Sequence, residues 1–296
     1  MAAFYWPGTY WIGIAAEKGW FREAGLNVQL VDCNADYFAS EKDLVEGRLD
    51  TNTLVLFDLL RYIAQGAVLV GVINADYSTG SEKLIARAGI DQIGDLRGKK
   101  IGVSRNSYLR YVLEVAIGRV GLKPNDVQIV DLQPEKVTEA LIKGEVDAIL
   151  TVEPYATQGL DATKGHDLFN TSEVPGLSPN LIVFQRKFIE ERPSEVTAFV
   201  KVWQRTTIFI KAHPDEAFEV IAGLNKKTPK EVREFAKIDK ILDLRDNELS
   251  FSFAAGFDSL HGAVRQMNDY MIAKGITAEK LDSSQFLEGS FLDALK

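Results

Sequence analysis

Residues 43–50 read DLVEGRLD, and residues 140–147 read ALIKGEVD. The glycines of the two segments, Gly47 and Gly144, lie 97 residues apart, and so do the aspartates that end them. In each segment a glycine follows an apolar, helix-like stretch and precedes an apolar residue that could begin a strand. The pair therefore indicates that the chain contains the same supersecondary unit twice.

Two further matches lie upstream in the same order. Residues 25–32 read GLNVQLVD, and residues 121–131 begin with GL and end with VQIVD. Tyr10 and Tyr108 lie 98 residues apart within a looser match. Three matches in one order at a nearly constant offset indicate an internal duplication.

Each half shows the same alternation of strand-like and helix-like segments. Short apolar or alternating stretches predict strands, and polar turns followed by helical periodicity predict helices. The predicted elements are strand 2–5, helix 10–18, strand 27–31, helix 40–46 and a strand from Leu49 in the first half, and strand 100–103, helix 107–119, strand 127–131, helix 135–143 and a strand from Val146 in the second. Such alternation indicates βαβ units with mostly parallel sheets. The predicted fold class is α/β with two similar lobes.

Two strand-like segments, Lys83–Arg87 and Asn180–Phe184, bracket the second half. If both connect the lobes, residues 1–84 and 185–296 form the first lobe, and residues 85–184 form the second. Two adjacent crossing strands would then serve as a hinge, because few backbone torsions must change when such lobes move.

The last third of the chain is predicted to be helical. One apolar helix face is formed by Val196, Phe199, Val200, Trp203 and Ile210. A further helix is expected after Thr228, with Glu231 completing a capping box. These helices have no counterpart in the duplication, so we expect them to pack around the first lobe.

The composition excludes several classes of function. The 296 residues include 34 Lys and Arg against 42 Asp and Glu, a net charge of −8, which argues against a nucleic-acid partner. Cys33 is the one cysteine, and the three histidines are scattered without metal-ligand spacing. No phosphate-binding glycine loop or catalytic motif is found. We therefore expect no metal, no cofactor, no catalytic residues and a buried, inert Cys33.

Polar turns open the first helix of each half: WPGTY at 6–10 and SRNSY at 104–108. Solutes of open α/β sheets bind at the carboxyl ends of the strands, where these turns are expected. Unpaired amides and the helix dipole there favour an anionic or strongly polar ligand. Candidate binding residues in the turns are Trp6, Tyr10, Ser104, Asn106 and Ser107. The alternatives are core packing for the aromatic residues and helix capping for Ser107.

The following strands add polar residues at the same edge, TNT at 51–53 and TVEPY at 151–155. Glu153 precedes a proline and would either receive an amino group of a ligand or cap the next helix. Ser78 lies in another polar turn, at 77–81. Together these features predict a cleft between the lobes for a small polar solute.

A family resemblance follows from longer motifs. The string WPGTY…AAEKGWFREAGLNV in residues 6–28 strongly resembles the opening of the nitrate/sulfonate/taurine-type periplasmic solute-binding proteins, which include the NMT1/THI5-like group. Further family-like motifs are DLRGKKIGV (95–103), LIKGEVDA (141–148), EPYA (153–156) and RPSEV (192–196). The resemblance covers essentially the whole chain.

The resemblance implies a type II periplasmic-binding-protein fold, with two α/β lobes, two crossing strands and extra C-terminal helices on the first lobe. It also implies that the protein is not an enzyme and delivers a small polar organic solute, such as a sulfonate or a pyrimidine-like compound, to an ABC importer. The ligand contacts that it implies are Trp6, Tyr10, Asn52, Thr53, Ser78, Ser104, Asn106, Ser107 and Glu153.

The same resemblance implies a location and partners. A periplasmic or extracellular location is expected from the family alone, because no signal-like segment opens the chain. The expected protein partner is an ABC permease, and the protein is expected to be a monomer. One alternative is the ectodomain of a signalling receptor, whose partner would be its own transmembrane segment. Another is a pyrimidine-synthase-like enzyme, but those enzymes carry a cysteine-rich motif that the lone Cys33 does not reproduce.

Overall fold

A computed structural model describes residues 1–105 and 107–296 of the chain. Its strands are β1 (Ala2–Ala3), β2 (Val31–Asp32), β3 (Thr51–Val55), β4 (Leu69–Ser78), β5 (Lys83–Ala86), β6 (Lys100–Val103), β7 (Gln128–Asp131), β8 (Ala148–Thr151), β9 (His166–Asn170), β10 (Pro179–Gln185) and β11 (Asp239–Ile241). Its α-helices are α1 (Tyr10–Glu17), α2 (Trp20–Glu23), α3 (Tyr37–Val45), α4 (Leu56–Ala64), α5 (Tyr108–Gly118), α6 (Pro134–Ile142), α7 (Tyr155–Thr163), α8 (Arg186–Glu191), α9 (Pro193–Ala212), α10 (Pro214–Asn225), α11 (Pro229–Phe235), α12 (Leu244–Ser250) and α13 (Leu260–Ala273). The α/β class predicted from the sequence is confirmed.

The chain divides into two compact units. The first unit consists of Met1–Tyr77 with Pro179–Lys296, and the second of Ser78–Ser178. The chain therefore passes into the second unit seven residues before the expected boundary at 84, and back into the first unit six residues before the expected boundary at 184. The reason is strand pairing: β5 pairs with β8 and β9 in the second unit, whereas β10 pairs with β3 and β4 in the first. The two segments expected to cross between lobes each lie within one sheet.

The sheet of the first unit has the strand order β11-β4-β10-β3. Strand β10 is antiparallel to both β3 and β4, so β3 and β4 run in the same direction and end at the same edge. A separate parallel pair joins Ala2 to Val31 and Ala3 to Asp32. Because β1 has only these two residues, its partner β2 is shorter than the predicted strand 27–31.

The sheet of the second unit has the order β7-β6-β8-β5-β9. Strand β6 pairs in parallel with β7 and β8, and β5 pairs antiparallel with β8 and β9. The duplication is confirmed at the level of elements, since β1-α1-β2-α3-β3 in the first unit matches β6-α5-β7-α6-β8 in the second. Gly47 and Gly144 end the matched helices with φ of 76° and 71°, a left-handed conformation that glycine adopts without strain.

The C-terminal helices complete the core of the first unit. The predicted stripe on α9 is confirmed: Val196, Phe199, Val200 and Trp203 are buried together with Trp11 and Phe184. The ring of Phe199 packs edge-on against those of Trp11 and Phe184 at centroid distances of 5.4 and 5.3 Å. The predicted capping box is also present at the start of α11, where Thr228 and Glu231 satisfy each other's backbone amides.

A close approach between Gly8 and Asp76 fixes the turn that leads into α1. A Cβ atom at Gly8 would lie 1.4 Å from Oδ2 of Asp76, so no other residue type fits there without displacing the carboxylate. Asp76 is fully buried near the end of β4, and its Oδ1 accepts a hydrogen bond from the Asn180 side chain on β10. The turn and two adjacent strands are thus held by one side chain.

We expect Gly8→Ala to lower the free energy of unfolding by about 1–3 kcal/mol, because the added methyl group overpacks a buried site. The matched control is Gly223→Ala in the exposed interior of α10, where a Cβ atom would meet nothing within 4 Å. That change should stabilise the protein by about 0.4–1 kcal/mol. Urea unfolding followed by circular dichroism measures both. Equal effects of the two substitutions would contradict the proposed contact.

Candidate functional site

The carboxyl ends of β6 and β8 meet at one edge of the second unit. The strands are parallel neighbours, and Thr151 at the end of β8 pairs with Lys83 at the start of β5. Helix α5 begins at the same edge, directly after β6. The backbone amide of Glu153 donates to the Ser81 carbonyl oxygen at 3.1 Å. The turn that contains Ser81, just before β5, therefore lies at this edge too. We call Ser81, Ser104, Ser107 and Thr151 the hydroxyl edge.

Two members of the hydroxyl edge have unsatisfied hydroxyl groups. Ser81 and Thr151 are fully buried, and their side-chain oxygens have no hydrogen-bond partner among the residues that the structure describes. Ser107 occupies the N-cap position of α5, yet its hydroxyl donates to the Ser104 carbonyl oxygen at 3.1 Å instead of capping a helix amide. The edge therefore combines an uncapped helix start with buried hydroxyl groups, an arrangement suited to acceptor oxygens of a solute.

Ser78 is engaged within the second unit. Thr171 donates its hydroxyl proton to Oε2 of Glu82 at 2.8 Å, so the 2.7 Å contact between Ser78 and Thr171 uses the proton of Ser78. The Ser78 oxygen also accepts from the amide of Ser81 at 3.0 Å. Its hydroxyl group is therefore committed to the fold. A direct contact with a solute would require breaking this network.

Glu82 is the buried acceptor on which this network depends. Its Oε1 accepts from the Tyr108 hydroxyl at 3.2 Å, close to the start of α5. Burial raises the pKa of Glu82, and hydrogen bonds from hydroxyl groups, that of Thr171 among them, offset part of that effect. Sequence reasoning missed this residue, because an isolated acidic residue before a strand carries no pattern.

Glu153 lies two residues before α7 and forms an ion pair with Lys83. Its Oε1 lies 2.5 Å from Nζ of Lys83, and its Oε2 accepts from the backbone amide of Thr157 at 3.1 Å. The Thr157 hydroxyl donates to Oε1 at 2.8 Å. Of the two roles expected for Glu153, these contacts correspond to helix capping. They also mean that Lys83 brings little net charge to the edge.

Of the two aromatic residues predicted to contact a solute, Tyr10 lies in the core and Trp6 is partly exposed. Tyr10 is only 3% exposed and packs in the core, where burial raises the pKa of its hydroxyl. Trp6 is half-buried, and its indole meets the ring of Phe235 edge-on at 5.8 Å. The buried Nε1 of Trp6 has no partner in the described part of the chain. Phe235 was not anticipated, since its helix lies far away in the sequence.

Asn52 and Thr53 lie in β3 and are fully buried. The Asn52 amide donates to the Ser40 hydroxyl at 3.0 Å and its Oδ1 accepts from the Thr53 amide at 2.7 Å, so this side chain joins β3 to α3. The Thr53 hydroxyl has no partner within residues 1–105 and 107–296. Asn106 was also predicted as a binding residue, and it lies outside the described residues.

Acidic side chains lie close to both helix starts. The sequence predicted anion-binding amides at both. In the first unit the fully buried carboxyl group of Asp76 lies against Gly8, in the turn before α1. Carboxyl groups also lie near the start of α5, where Oδ1 of Asp131 accepts from the Arg105 amide at 2.9 Å and Oε1 of Glu82 accepts from the Tyr108 hydroxyl at 3.2 Å.

Neither a metal site nor a membrane span is found in the described residues. No group of three or more His, Cys, Asp or Glu side chains is placed to hold a metal ion. Among the described helices, none has the length and apolar character needed to cross a membrane.

Comparison with known proteins decides the family. The NMT1/THI5-like family matches residues 7–217, which is more than two thirds of the chain. The chain belongs to the NMT1/THI5-like family. The resemblance seen in the sequence motifs is thereby confirmed.

Relatives of this NMT1/THI5-like protein are distant but extend over nearly its whole length. A Bacillus subtilis protein, named provisionally as an aliphatic sulfonates-binding protein, is 28% identical over 94% of this chain and 82% of its own. The crystal structure of the periplasmic aliphatic sulphonate-binding protein of Escherichia coli matches with a TM-score of 0.73 at 16% identity, covering 96% of both chains. The fold is that of the periplasmic binding proteins, as predicted.

An enzyme shares this fold. The crystal structure of a desulfurization enzyme matches the NMT1/THI5-like chain with a TM-score of 0.64 at 16% identity, covering 99% of this chain and 98% of the enzyme. Fold alone therefore does not separate binding from catalysis. In this chain the Cys33 thiol is buried and lies 3.3 Å from the Val31 carbonyl oxygen, and burial raises its pKa.

The hydroxyl edge can be tested through stability. Thr171→Val should lower the free energy of unfolding by about 1–3 kcal/mol, because it leaves Glu82 and Ser78 without their buried partner. The matched change Thr151→Val removes a hydroxyl group that has no partner, so stability should stay the same or rise. Urea denaturation measures the two differences. A large loss for Thr151→Val would show that its hydroxyl group already serves the fold.

Proposed function

We propose that this protein binds a small polar organic solute, with the acceptor oxygens of that solute at the hydroxyl edge of the second unit. The observation that supports this most strongly is the pair of buried, unpartnered hydroxyl groups of Ser81 and Thr151 beside the uncapped start of α5. A buried hydroxyl group without a partner costs about 1–3 kcal/mol. A solute oxygen that supplies the partner removes this cost.

The chemistry of the edge favours a sulfonate or a similar oxyanion. Each sulfonate oxygen can accept several hydrogen bonds, and the edge offers hydroxyl groups and helix amides as donors. Lys83 is paired with Glu153, so binding here rests on neutral donors and the helix dipole. The name of the Bacillus relative, which refers to aliphatic sulfonates, supports the same class of solute.

In the first unit Trp6 presents a half-buried indole next to Phe235, and its buried Nε1 has no partner among the described residues. A pyrimidine-like solute is the second candidate, because an indole face can stack on a flat ring.

We further propose that the protein works outside the cytoplasm and passes its solute unchanged to an ABC importer. The family and the name of the periplasmic Escherichia coli protein with the same fold support this role. Cys33 is poorly suited as a nucleophile, since its thiol is buried and its pKa is raised. Binding without turnover is therefore the proposed activity.

Isothermal titration with methanesulfonate, taurine, an aminopyrimidine and nitrate tests the solute class. Ser81→Ala and Thr151→Val should each weaken sulfonate binding about tenfold, the equivalent of about 1.4 kcal/mol. The matched control is Ser194→Ala, an exposed serine on α9, which should leave affinity unchanged. If neither sulfonate binds, or if both edge variants bind as the wild type does, the proposed site is wrong.

A second measurement separates binding from catalysis. Mass spectrometry of the solute after long incubation with the protein should recover it intact. Release of sulfite or any other product from a bound sulfonate would instead place this chain with the desulfurization enzyme that shares its fold.

A further inference from the structure

Two buried carboxyl groups lie together between α3 and α4 of the first unit. Glu41 on α3 and Asp58 on α4 both have fully buried side chains. Nε of Arg61 lies 3.2 Å from Oδ1 of Asp58, and its Nη2 lies 3.7 Å from Oε2 of Glu41. The Tyr62 hydroxyl donates to the same Glu41 oxygen at 2.9 Å. We call Glu41 and Asp58 the carboxyl pair.

The second oxygen of each carboxyl group has no partner. Oε1 of Glu41 and Oδ2 of Asp58 are buried without a hydrogen bond to any described residue. Burying such an oxygen costs more free energy when the group is an ionised carboxylate than when it is protonated, because the charged form loses more hydration on leaving water. A proton on one of the two groups lowers this cost.

The surroundings supply one positive charge for two acidic groups. Within the described residues Arg61 is the cation at ion-pair distance from either carboxyl group. Strands β3 and β10, which pack against these helices, contain no ionisable residue. On α3 a hydrogen bond from Tyr37 lowers the pKa of Glu41 in part, and Lys42 lies 3.7 Å from Glu46 at the surface.

Helix α13, the third helix packed against this region, carries Arg265, which donates to the Ala254 carbonyl oxygen at 2.6 Å, and His261, whose Nδ1 lies 2.7 Å from the Ser283 hydroxyl. Helix α13 meets α4 through the rings of Tyr270 and Phe57, 5.8 Å apart. Its Asp269 is paired with Lys280, and Nζ of Lys274 lies over the Tyr270 ring. With both carboxyl groups ionised, the cluster would hold an uncompensated negative charge away from water.

Burial acts on both groups in the same direction. It raises the pKa of Glu41, and the nearby Asp58 charge raises it further, while Tyr62, Arg61 and Tyr37 oppose the shift. Burial also raises the pKa of Asp58, against the opposing effect of Arg61. When two acidic groups interact this strongly, the first proton to bind belongs to the pair rather than to one residue.

We propose that the carboxyl pair retains one proton in the folded protein at neutral pH and acts as a proton-dependent clasp between α3 and α4. The clasp also supports β3, the strand that follows α3 and precedes α4 in the sequence. Ser40, next to Glu41, accepts from the Asn52 side chain, and the Tyr37 hydroxyl donates to the Thr53 carbonyl oxygen at 3.2 Å. Loss of the proton leaves a second buried charge and weakens the packing of α3 on β3 and α4.

The direction of the pH dependence follows from linkage. Both pKa values are raised in the folded state, so between the unfolded value, about 4, and the raised folded value the folded protein binds more protons. Stability is therefore fully present at the acidic end of this range and is lost as pH rises through it. Glu82 in the second unit contributes a similar dependence, which is the same in all variants below.

Urea unfolding of the wild type and Glu41→Gln at pH 5, 7 and 9 tests the proposal. The variant keeps an oxygen for Tyr62 but carries no titrating group, so the rise in the unfolding equilibrium constant between pH 5 and 9 should be more than tenfold smaller than in the wild type. The matched control Glu46→Gln alters an exposed acid directly after α3 and should keep the wild-type slope. If the free energy of unfolding of Glu41→Gln falls with pH as steeply as that of the wild type, the proposal is overturned.

Infrared spectroscopy of the folded protein reports the proton directly. At pH 7 the wild type should show a protonated carboxyl band that persists in Glu46→Gln and is lost or reduced in Glu41→Gln. If Glu41→Gln does not fold, Asp58→Asn replaces it, with the same expected loss of slope and band. A wild type without any protonated carboxyl band at pH 7 would overturn the proposal whatever the variants do.

Discussion

The first unit depends on the pairing of β10 between β3 and β4. Strand β10 comes from beyond the second unit, yet it hydrogen-bonds to both neighbours along most of its length and is buried from Pro179 to Phe184. Without it, β3 and β4 would present unpaired backbone groups in the core, which buried strands do not tolerate. Residues before 78 therefore cannot form this sheet alone, and the second unit is an insertion between two parts of one core.

The same strand supports the polar residues at the edge. Asn180 stands opposite Asp76 in the ladder and donates to its carboxyl group, which in turn lies against Gly8. A residue after the insertion thus fixes the turn near the start of the chain. This link explains why the start of α1 differs from that of α5, although the duplicated sequences predict similar turns.

How much of this could be read from the sequence depends on the range of the interaction. The duplication, the α/β elements and the apolar stripe of α9 are local patterns, and the structure confirms them. The unit boundaries differ from the expected ones because β5 pairs only within the second sheet and β10 only within the first. Strand β4 contains the polar residues Asn74 and Asp76. Their partners, Asn247 and Asn180, are more than 100 residues away. Local patterns cannot reveal such partners.

The candidate site shows the same limit in its hydroxyl groups. Residue type predicted polar groups such as Ser78 and Thr151 at one edge, but whether a hydroxyl group is free depends on what folding brings beside it. Ser78 meets Thr171, 93 residues later, and is satisfied, whereas Thr151 has no partner among the described residues. Buried acids follow the same rule: Glu82 is surrounded by hydroxyl donors, while Glu41 and Asp58 face a single guanidinium group. The hydroxyl donors offset only part of the effect of burial on Glu82, whose pKa is still raised. Two carboxyl groups at one cation are left with an excess charge, and a bound proton is the simplest way to remove it.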